Sequence, residues 1–175
     1  MNHVPGRKVA PVQYSRTLTI LLWLAVSTGL AVSIFSLIEE LCLATACSDA
    51  ASFTFFGIGM AWLGIAYFSL ILLVLWLRPK NYLLDWALTA LLFSGIGAEF
   101  RLLWIQKYII GSWCPLCVTI CSALFFAGIV LLIGKVHESG SGQGRGKSLL
   151  GWLAFVMAMA AIGLAVAVVG VQALT

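Results

Sequence analysis

The segment Trp113-Cys114-Pro115-Leu116-Cys117 stands at the start of a long apolar run, and the chain is organised around it. It contains a C-x-x-C pair, and two further cysteines, Cys42 and Cys47, lie far upstream. Pro115 suits the first turn of a helix, where its missing N–H removes no hydrogen bond. The segment therefore predicts a helix that begins within the motif, with Cys114 near its N-cap and Cys117 one turn deeper.

The composition predicts an integral membrane protein. Of 175 residues, 62% are hydrophobic and 9% are charged, whereas soluble domains carry about 25% charged residues. The net charge of +4 comes from short cationic clusters between apolar runs, without a basic patch interleaved with aromatic residues. This pattern favours membrane topology over nucleic-acid binding. The length favours one compact bundle.

Five apolar runs are long enough to cross roughly 30 Å of hydrocarbon as helices. Helices are the only element predicted in them, because lipid leaves backbone groups no outside partners. A cleaved signal peptide is the alternative for the first run. The predicted runs cover 17–38, 53–77, 82 to about 110, 113–134 and 149–174. The glycines of the second run, Gly57, Gly59 and Gly64, are expected to allow close helix packing.

The predicted fold is thus all-α, with a four-helix bundle and one additional C-terminal span. Residues 17–134 form the four-span core, which includes an outer cysteine loop at 39–52. A leader at 1–16 and a Gly/Ser-rich loop at 135–148 are predicted to be cytoplasmic, and 149–175 form the fifth span.

Lys and Arg residues divide unequally between the two sides that these spans define. Cytoplasmic loops are enriched in such cations, so the richer side, which includes the N-terminus, is predicted to be cytoplasmic. Both cysteine pairs and the C-terminus then face outward, which in a bacterial inner membrane means the periplasm. The richer side carries Arg7, Lys8, Arg16, Arg78, Lys80, Lys135, Arg145 and Lys147, and the other carries only Arg101 and Lys107.

The spacing of the cysteines favours thiol–disulfide exchange. Paired cysteines persist as disulfides in an oxidising compartment. The pairs Cys42/Cys47 and Cys114/Cys117 close short loops, which constrain the unfolded chain less than long ones do. A close pair instead keeps a resolving thiol within reach of any mixed disulfide. At a helix N-terminus the dipole stabilises a thiolate at Cys114, and Cys117 is placed to meet a lipid-soluble electron carrier.

Alternatives remain open on the residues alone. The four cysteines match the ligand number of a structural zinc site, and either pair can be a purely structural disulfide. A non-enzymatic metal-binding or scaffolding membrane protein is therefore the second hypothesis. Cys121, one turn after Cys117, is expected to be a small core residue.

Other polar and aromatic residues near the motif have ordinary interpretations. Glu99 and Arg101 are interpreted as interfacial charges, with a proton path as the alternative. Trp104 and Trp113 are expected to anchor the chain at the interface.

The cysteine arrangement resembles that of the vitamin K epoxide reductase family, specifically its bacterial homologues. The resemblance rests on a cysteine pair between the first two spans and a C-x-x-C opening the fourth. The stretch Ser52-Phe53-Thr54-Phe55-Phe56-Gly57-Ile58-Gly59 is similar to the family's segment entering the second span. The resemblance covers roughly residues 17 to 134, with the fifth span typical of bacterial members.

The resemblance implies a disulfide-generating quinone reductase that supports disulfide bond formation. It implies that Cys117 faces the quinone, that Cys114 exchanges with Cys47, and that Cys42 takes electrons from a periplasmic thioredoxin-like protein. Ser52, or Thr54 nearby, matches the family's polar residue beside the quinone carbonyl, and Phe56 is implied to line the ring pocket. The implied acceptor is ubiquinone or menaquinone, and no metal is implied.

Two departures refine this expectation. Many bacterial members carry a fused thioredoxin-like domain after the fifth span, whereas this sequence ends at Thr175. A separate thioredoxin-like partner is therefore expected, with a truncated sequence as the alternative. Vertebrate members have a tyrosine where Cys121 stands here, which favours plain quinone reduction over epoxide reduction.

Overall fold

Five long helices dominate a computed structural model of the chain, which describes residues 16–42, 53–78, 82–111, 113–138 and 145–173. Each helix is long and apolar enough to cross a membrane. The protein is therefore an all-α, multi-pass integral membrane protein, as the composition predicts. The helices are α1 (Arg16–Cys42), α2 (Met60–Leu77), α3 (Tyr82–Ile105), α4 (Pro115–Glu138) and α5 (Arg145–Gly170).

The first four helices enclose one apolar core. Helix α1 packs against α2 and α4, and α3 packs against α2 and α4. Helix α5 contributes nothing to this core and packs mainly along α3. The prediction of a four-helix bundle with one additional span is confirmed. The core includes Leu22 and Val26 of α1, Phe68 and Ile71 of α2, Leu88 and Leu92 of α3, and Leu124 and Leu131 of α4.

Small residues bring the helices close together. A Cβ atom added at Gly64 of α2 would lie 2.7 Å from the Ser33 hydroxyl of α1, which confirms the predicted packing role of that glycine. Gly97 of α3 and Gly163 of α5 lie directly against each other's helix backbone. Such contacts promote helix association in lipid, where no hydrophobic force drives helices together.

A small antiparallel sheet lies at one end of the bundle. Its strands are β1 (Phe53–Phe55), β2 (Ile58–Gly59) and β3 (Val171–Ala173), in the order β2-β1-β3. Thr54 of β1 pairs with Gly59 on one side and with Gln172 on the other. The sheet ties the start of α2 to the end of α5, so these two ends lie on the same side of the bundle.

The prediction that the second and fifth runs are helical throughout is wrong at 53–59 and 171–173. Phe56 and Gly57 form the turn of the hairpin with φ of 50° and 81°, and the left-handed region is incompatible with a continuing helix. Gly57 and Gly59 therefore serve the hairpin rather than helix packing. The Phe56 N–H also donates a 2.9 Å hydrogen bond to the Gly170 carbonyl, where α5 ends.

Two other boundaries differ from the prediction. Helix α4 continues to Glu138 and α5 begins at Arg145, so helix extends into both ends of the predicted 135–148 loop. Which side of the membrane each end faces stays a prediction.

An ionic cluster lies at the end of the bundle opposite the sheet. Asp85 of α3 is buried and pairs with Arg78, which follows α2 directly. The Lys135 Nζ atom of α4 lies 3.9 Å from the second carboxylate oxygen of Asp85. The cluster links α2, α3 and α4 at this end.

Candidate functional site

The C-x-x-C motif follows a change in helix geometry. Helix α3 continues after Ile105 as one turn of π-helix, Gln106–Ile110. Gly111 ends that turn in the left-handed conformation, with φ of 74°, and its N–H donates to the Gln106 carbonyl at 2.9 Å. Glycine is the residue that adopts this conformation without steric cost. Single π-turns within helices are frequent at functional sites.

Cys114 occupies the predicted position directly before α4. Helix α4 begins at Pro115, and the Val118 N–H donates to the Cys114 carbonyl at 3.1 Å. This is the hydrogen bond expected of an N-cap residue. The prediction that the helix starts within the motif is confirmed.

The two cysteines of the motif are in different states. Cys114 is disulfide-bonded, while Cys117 and Cys121 are free thiols. The motif therefore holds no internal disulfide, and the sulfur bonded to Cys114 lies outside the described side chains. Cys117 is half-buried, whereas Cys121 is buried as the sequence predicts for a small core residue.

The Gln106 side chain interacts with both cysteines of the motif. Its side chain is 3% exposed, and its Oε1 atom accepts a long hydrogen bond of 3.4 Å from the Cys114 N–H. The same side chain lies close enough to the Cys117 thiol to interact with it. Sequence reasoning missed this residue. The available signal was a neutral polar side chain inside an apolar run, eight residues before the motif.

Glu99 lies deeper in the bundle on the same face of α3. It precedes Gln106 by seven residues, which is about two helical turns, and it is 8% exposed. Its carboxyl group interacts electrostatically with the thiols of Cys117 and Cys121 on α4 and with the Tyr67 hydroxyl on α2. Among the described residues it makes no hydrogen bond or ion pair. The interpretation of Glu99 as an ordinary interfacial charge did not predict this burial.

Arg101 does not neutralise Glu99. Its guanidinium lies over the Trp104 ring, 4.6 Å from the ring centroid. Trp104 in turn lies 5.6 Å from the Tyr108 ring, centroid to centroid. Both aromatic side chains are exposed, as is usual for residues that anchor a helix at a membrane interface.

An apolar groove of about 710 Å³ runs along α4 beside the motif. Cys117 does not line it, so the groove alone does not identify the acceptor site that the sequence predicts. Trp113 lies at the groove as well as being exposed. The lining consists of Leu103, Trp113, Val118, Cys121, Ser122, Phe125, Phe126 and Ile129.

The other predicted site residues have no described contact with the motif or lie outside the described part of the chain. Phe56 is 60% exposed in the hairpin turn, where its ring packs edge-on against Phe55, 4.8 Å away. No described contact joins Phe56 to Cys117. Cys47 and Ser52 lie outside the described residues, and Cys42 is described only as the last residue of α1. Their predicted roles stay predictions.

The chain matches no protein-family model, and no curated protein is significantly similar to it. The resemblance to the vitamin K epoxide reductase family, together with its quinone and thioredoxin-like partner, therefore remains a prediction.

The motif provides sulfur in two states within the described part of the chain. They contain no cluster of three or more Cys, His, Asp or Glu side chains of the kind that holds a metal ion. Because the Cys114 sulfur is bonded to another sulfur, it cannot serve as a zinc thiolate in this state. The arrangement provides a disulfide next to a free thiol, which are the two reactants of an exchange reaction.

Proposed function

We propose that the protein is a membrane thiol–disulfide oxidoreductase of the bacterial inner membrane that oxidises a periplasmic thioredoxin-like protein and passes two electrons to a quinone. The observation that carries this proposal is the state of the motif. Cys114 is bonded to a sulfur outside the motif, whereas Cys117 is a free thiol. A structural C-x-x-C disulfide would join these two residues to each other.

The proposed cycle consists of thiol exchanges between two cysteine pairs. A reduced partner attacks Cys42 in a Cys42–Cys47 disulfide and leaves as a disulfide, with two thiols remaining on the loop. The Cys47 thiolate then attacks Cys114 in a Cys114–Cys117 disulfide and releases the Cys117 thiolate. The described state of the motif matches the product of this step, with the loop pair supplying the sulfur bonded to Cys114.

The cycle closes when both pairs return to disulfides. Cys42 attacks Cys47 and releases Cys114, and Cys114 forms the disulfide with Cys117 as two electrons and two protons pass to the quinone. Overall, one partner dithiol and one quinone give one partner disulfide and one hydroquinone. Cys117 is the third residue of the candidate span Pro115–Val136, a position that supports an electron acceptor dissolved in the bilayer. A lipid-soluble quinone is such an acceptor.

The direct test is Cys117→Ala in purified protein, assayed for quinone reduction by a reduced thioredoxin-like protein. We expect turnover to be abolished, because no other described thiol forms part of the motif. Cys121→Ala is the matched control, since it removes a second free thiol one turn further along α4. We expect that variant to keep wild-type turnover.

Undiminished turnover in Cys117→Ala would reject the assignment. Metal analysis and thiol titration of the wild-type protein address the non-enzymatic hypothesis. Stoichiometric zinc with no reducible disulfide would favour a metal-binding scaffold instead.

A further inference from the structure

We propose that Glu99 is the proton relay of the Cys117 thiol, an inference that rests on the proposed function and names a residue for its proton transfer. In this role the carboxylate accepts the Cys117 proton as the sulfur becomes a thiolate. It later releases that proton toward the acceptor.

The burial of Glu99 first sets it apart. It lies within the span Leu83–Ile110, is 8% exposed, and has no hydrogen-bond or ion-pair partner among the described residues. Removing a carboxylate from water without a partner costs several kcal/mol by general estimates. Ionisable residues within spans are rare for this reason, and they commonly mark proton relays or ion pathways.

The surroundings of Glu99 then point to Cys117. Gln106, two turns along the same face of α3, accepts a hydrogen bond of 3.4 Å from the Cys114 N–H, so this face is directed at the motif. The carboxyl of Glu99 interacts electrostatically with the thiols of Cys117 and Cys121. Two negative charges at Glu99 and Cys117 would repel each other strongly away from water. A proton lost by one group is therefore best held by the other, so the pair behaves as a coupled site.

No other described group near Glu99 can take this role. The Tyr67 hydroxyl of α2 donates its proton to the Leu91 carbonyl at 2.5 Å. The Arg101 guanidinium is held over Trp104. The described side chains of α5, residues 149–171, include no titratable group.

The proton balance of the step is simple. Two S–H bonds break at Cys114 and Cys117, one S–S bond forms between them, and two O–H bonds form on the quinone. Glu99 takes one of these protons and passes it on, so it ends each cycle in its starting state. No direct hydrogen bond joins Glu99 to Cys117 among the described residues, so the transfer requires intervening water or a side-chain rotation, as is common before reactants bind.

The test compares Glu99→Gln with wild type, using dithiothreitol as donor and short-chain ubiquinone and menaquinone analogues as acceptors. We expect the rate of quinone reduction to fall on the order of 10²-fold, the lower end of a typical proton-transfer contribution. The variant should also lose the pH dependence that a carboxyl group gives the wild-type rate. Glu99→Asp, which keeps the carboxyl group, should restore part of the rate.

The matched control is Thr89→Val, another buried polar residue of α3. Among the described residues, its hydroxyl donates to the Asp85 carbonyl of its own helix alone, at 2.8 Å, so its loss tests general disturbance of α3. We expect wild-type rate and pH dependence. A Glu99→Gln variant with the rate and pH profile of wild type would overturn the relay.

A second readout separates this inference from the proposed function. In a Cys121→Ala background, a membrane-permeable maleimide reacts without any quinone, and mass spectrometry of the labelled peptides distinguishes Cys117 from the loop cysteine that the proposed cycle leaves free. Glu99→Gln removes a nearby negative charge that disfavours the thiolate, so we expect faster alkylation of Cys117. If wild type reduces no quinone, the proposed function fails. If alkylation is unchanged, the link between Glu99 and Cys117 fails.

Discussion

Helix α3 carries two buried carboxyl groups, and their surroundings differ in kind. Asp85, near the start of the helix, is 7% exposed and is paired with Arg78, with Lys135 nearby. Glu99, fourteen residues later, is 8% exposed and has free thiols rather than cations around it. The two carboxyl groups are therefore equally buried, but their electrostatic surroundings are opposite. Asp85 has the contacts of a structural ion pair, whereas Glu99 has those of a reactive group.

The largest expected effect concerns the paired carboxyl. Asp85→Asn removes one member of a buried ion pair and leaves the Arg78 charge without its carboxylate. Breaking such a pair typically costs about 3 kcal/mol or more. We expect a loss of this size in the free energy of unfolding, measured by denaturant titration in detergent micelles.

A double variant that removes both charges is the control for this loss of stability. Arg78→Met combined with Asp85→Leu removes both charges at once, and buried pairs replaced in this way are often neutral in stability. We expect the double variant to recover most of the loss. If Asp85→Asn alone costs less than about 1 kcal/mol, the cluster is an ordinary surface pair, and the contrast with Glu99 disappears.

A smaller loss of stability is expected from a change at Gln106, which follows the other end of α3. Gln106→Met keeps the side-chain length but removes the amide that contacts the Cys114 N–H and the Cys117 thiol. A buried donor left without its acceptor costs about 1–3 kcal/mol, and the 3.4 Å distance favours the lower end. We expect a loss of about 1 kcal/mol in the free energy of unfolding and a changed rate of Cys117 alkylation.

Lys107→Met is the matched control for Gln106, since it changes the next residue of the same π-turn. Lys107 is exposed, and its ammonium lies 5.3 Å from the Tyr108 ring centroid. We expect no change in Cys117 alkylation in this variant. Equal alkylation of Cys117 in both variants would mean that Gln106 does not position the motif.

The architecture was predictable because hydropathy and length determine what can cross a bilayer. The five spans and the helix start at Pro115 follow from apolar runs and from the geometry of proline. The hairpin at 53–59 and strand β3 were not predictable in this way. Their residues are as apolar as the helices beside them, and pairing between Thr54 and Gln172 depends on contacts far apart in the sequence.

The site was predictable only in its cysteines. Spacing identifies Cys114 and Cys117, but it does not indicate that their sulfurs are in different states. Gln106 and Glu99 look ordinary in the sequence, because their positions relative to the thiols depend on the packing of α3 against α4. Glu99 was interpreted as an interfacial charge because its position in the sequence is close to the predicted outer end of the third run. Its burial follows from the face of α3 on which it lies.

The smallest expected effect is the change in the free energy of unfolding when Glu99 is replaced, in contrast to the large loss expected for Asp85. Glu99→Met replaces a buried carboxyl that has no described partner with an apolar side chain of similar length. Such a replacement removes an unfavourable desolvation without breaking a bond, so it is typically neutral or stabilising. We expect the free energy of unfolding to stay within about 1 kcal/mol of wild type or to rise, in the same micelle titration as for Asp85. A loss as large as that of Asp85→Asn would mean that Glu99 supports the fold, and the contrast between the two carboxyl groups would then be wrong. Unchanged stability together with impaired quinone reduction would separate the chemistry of Glu99 from any contribution to folding.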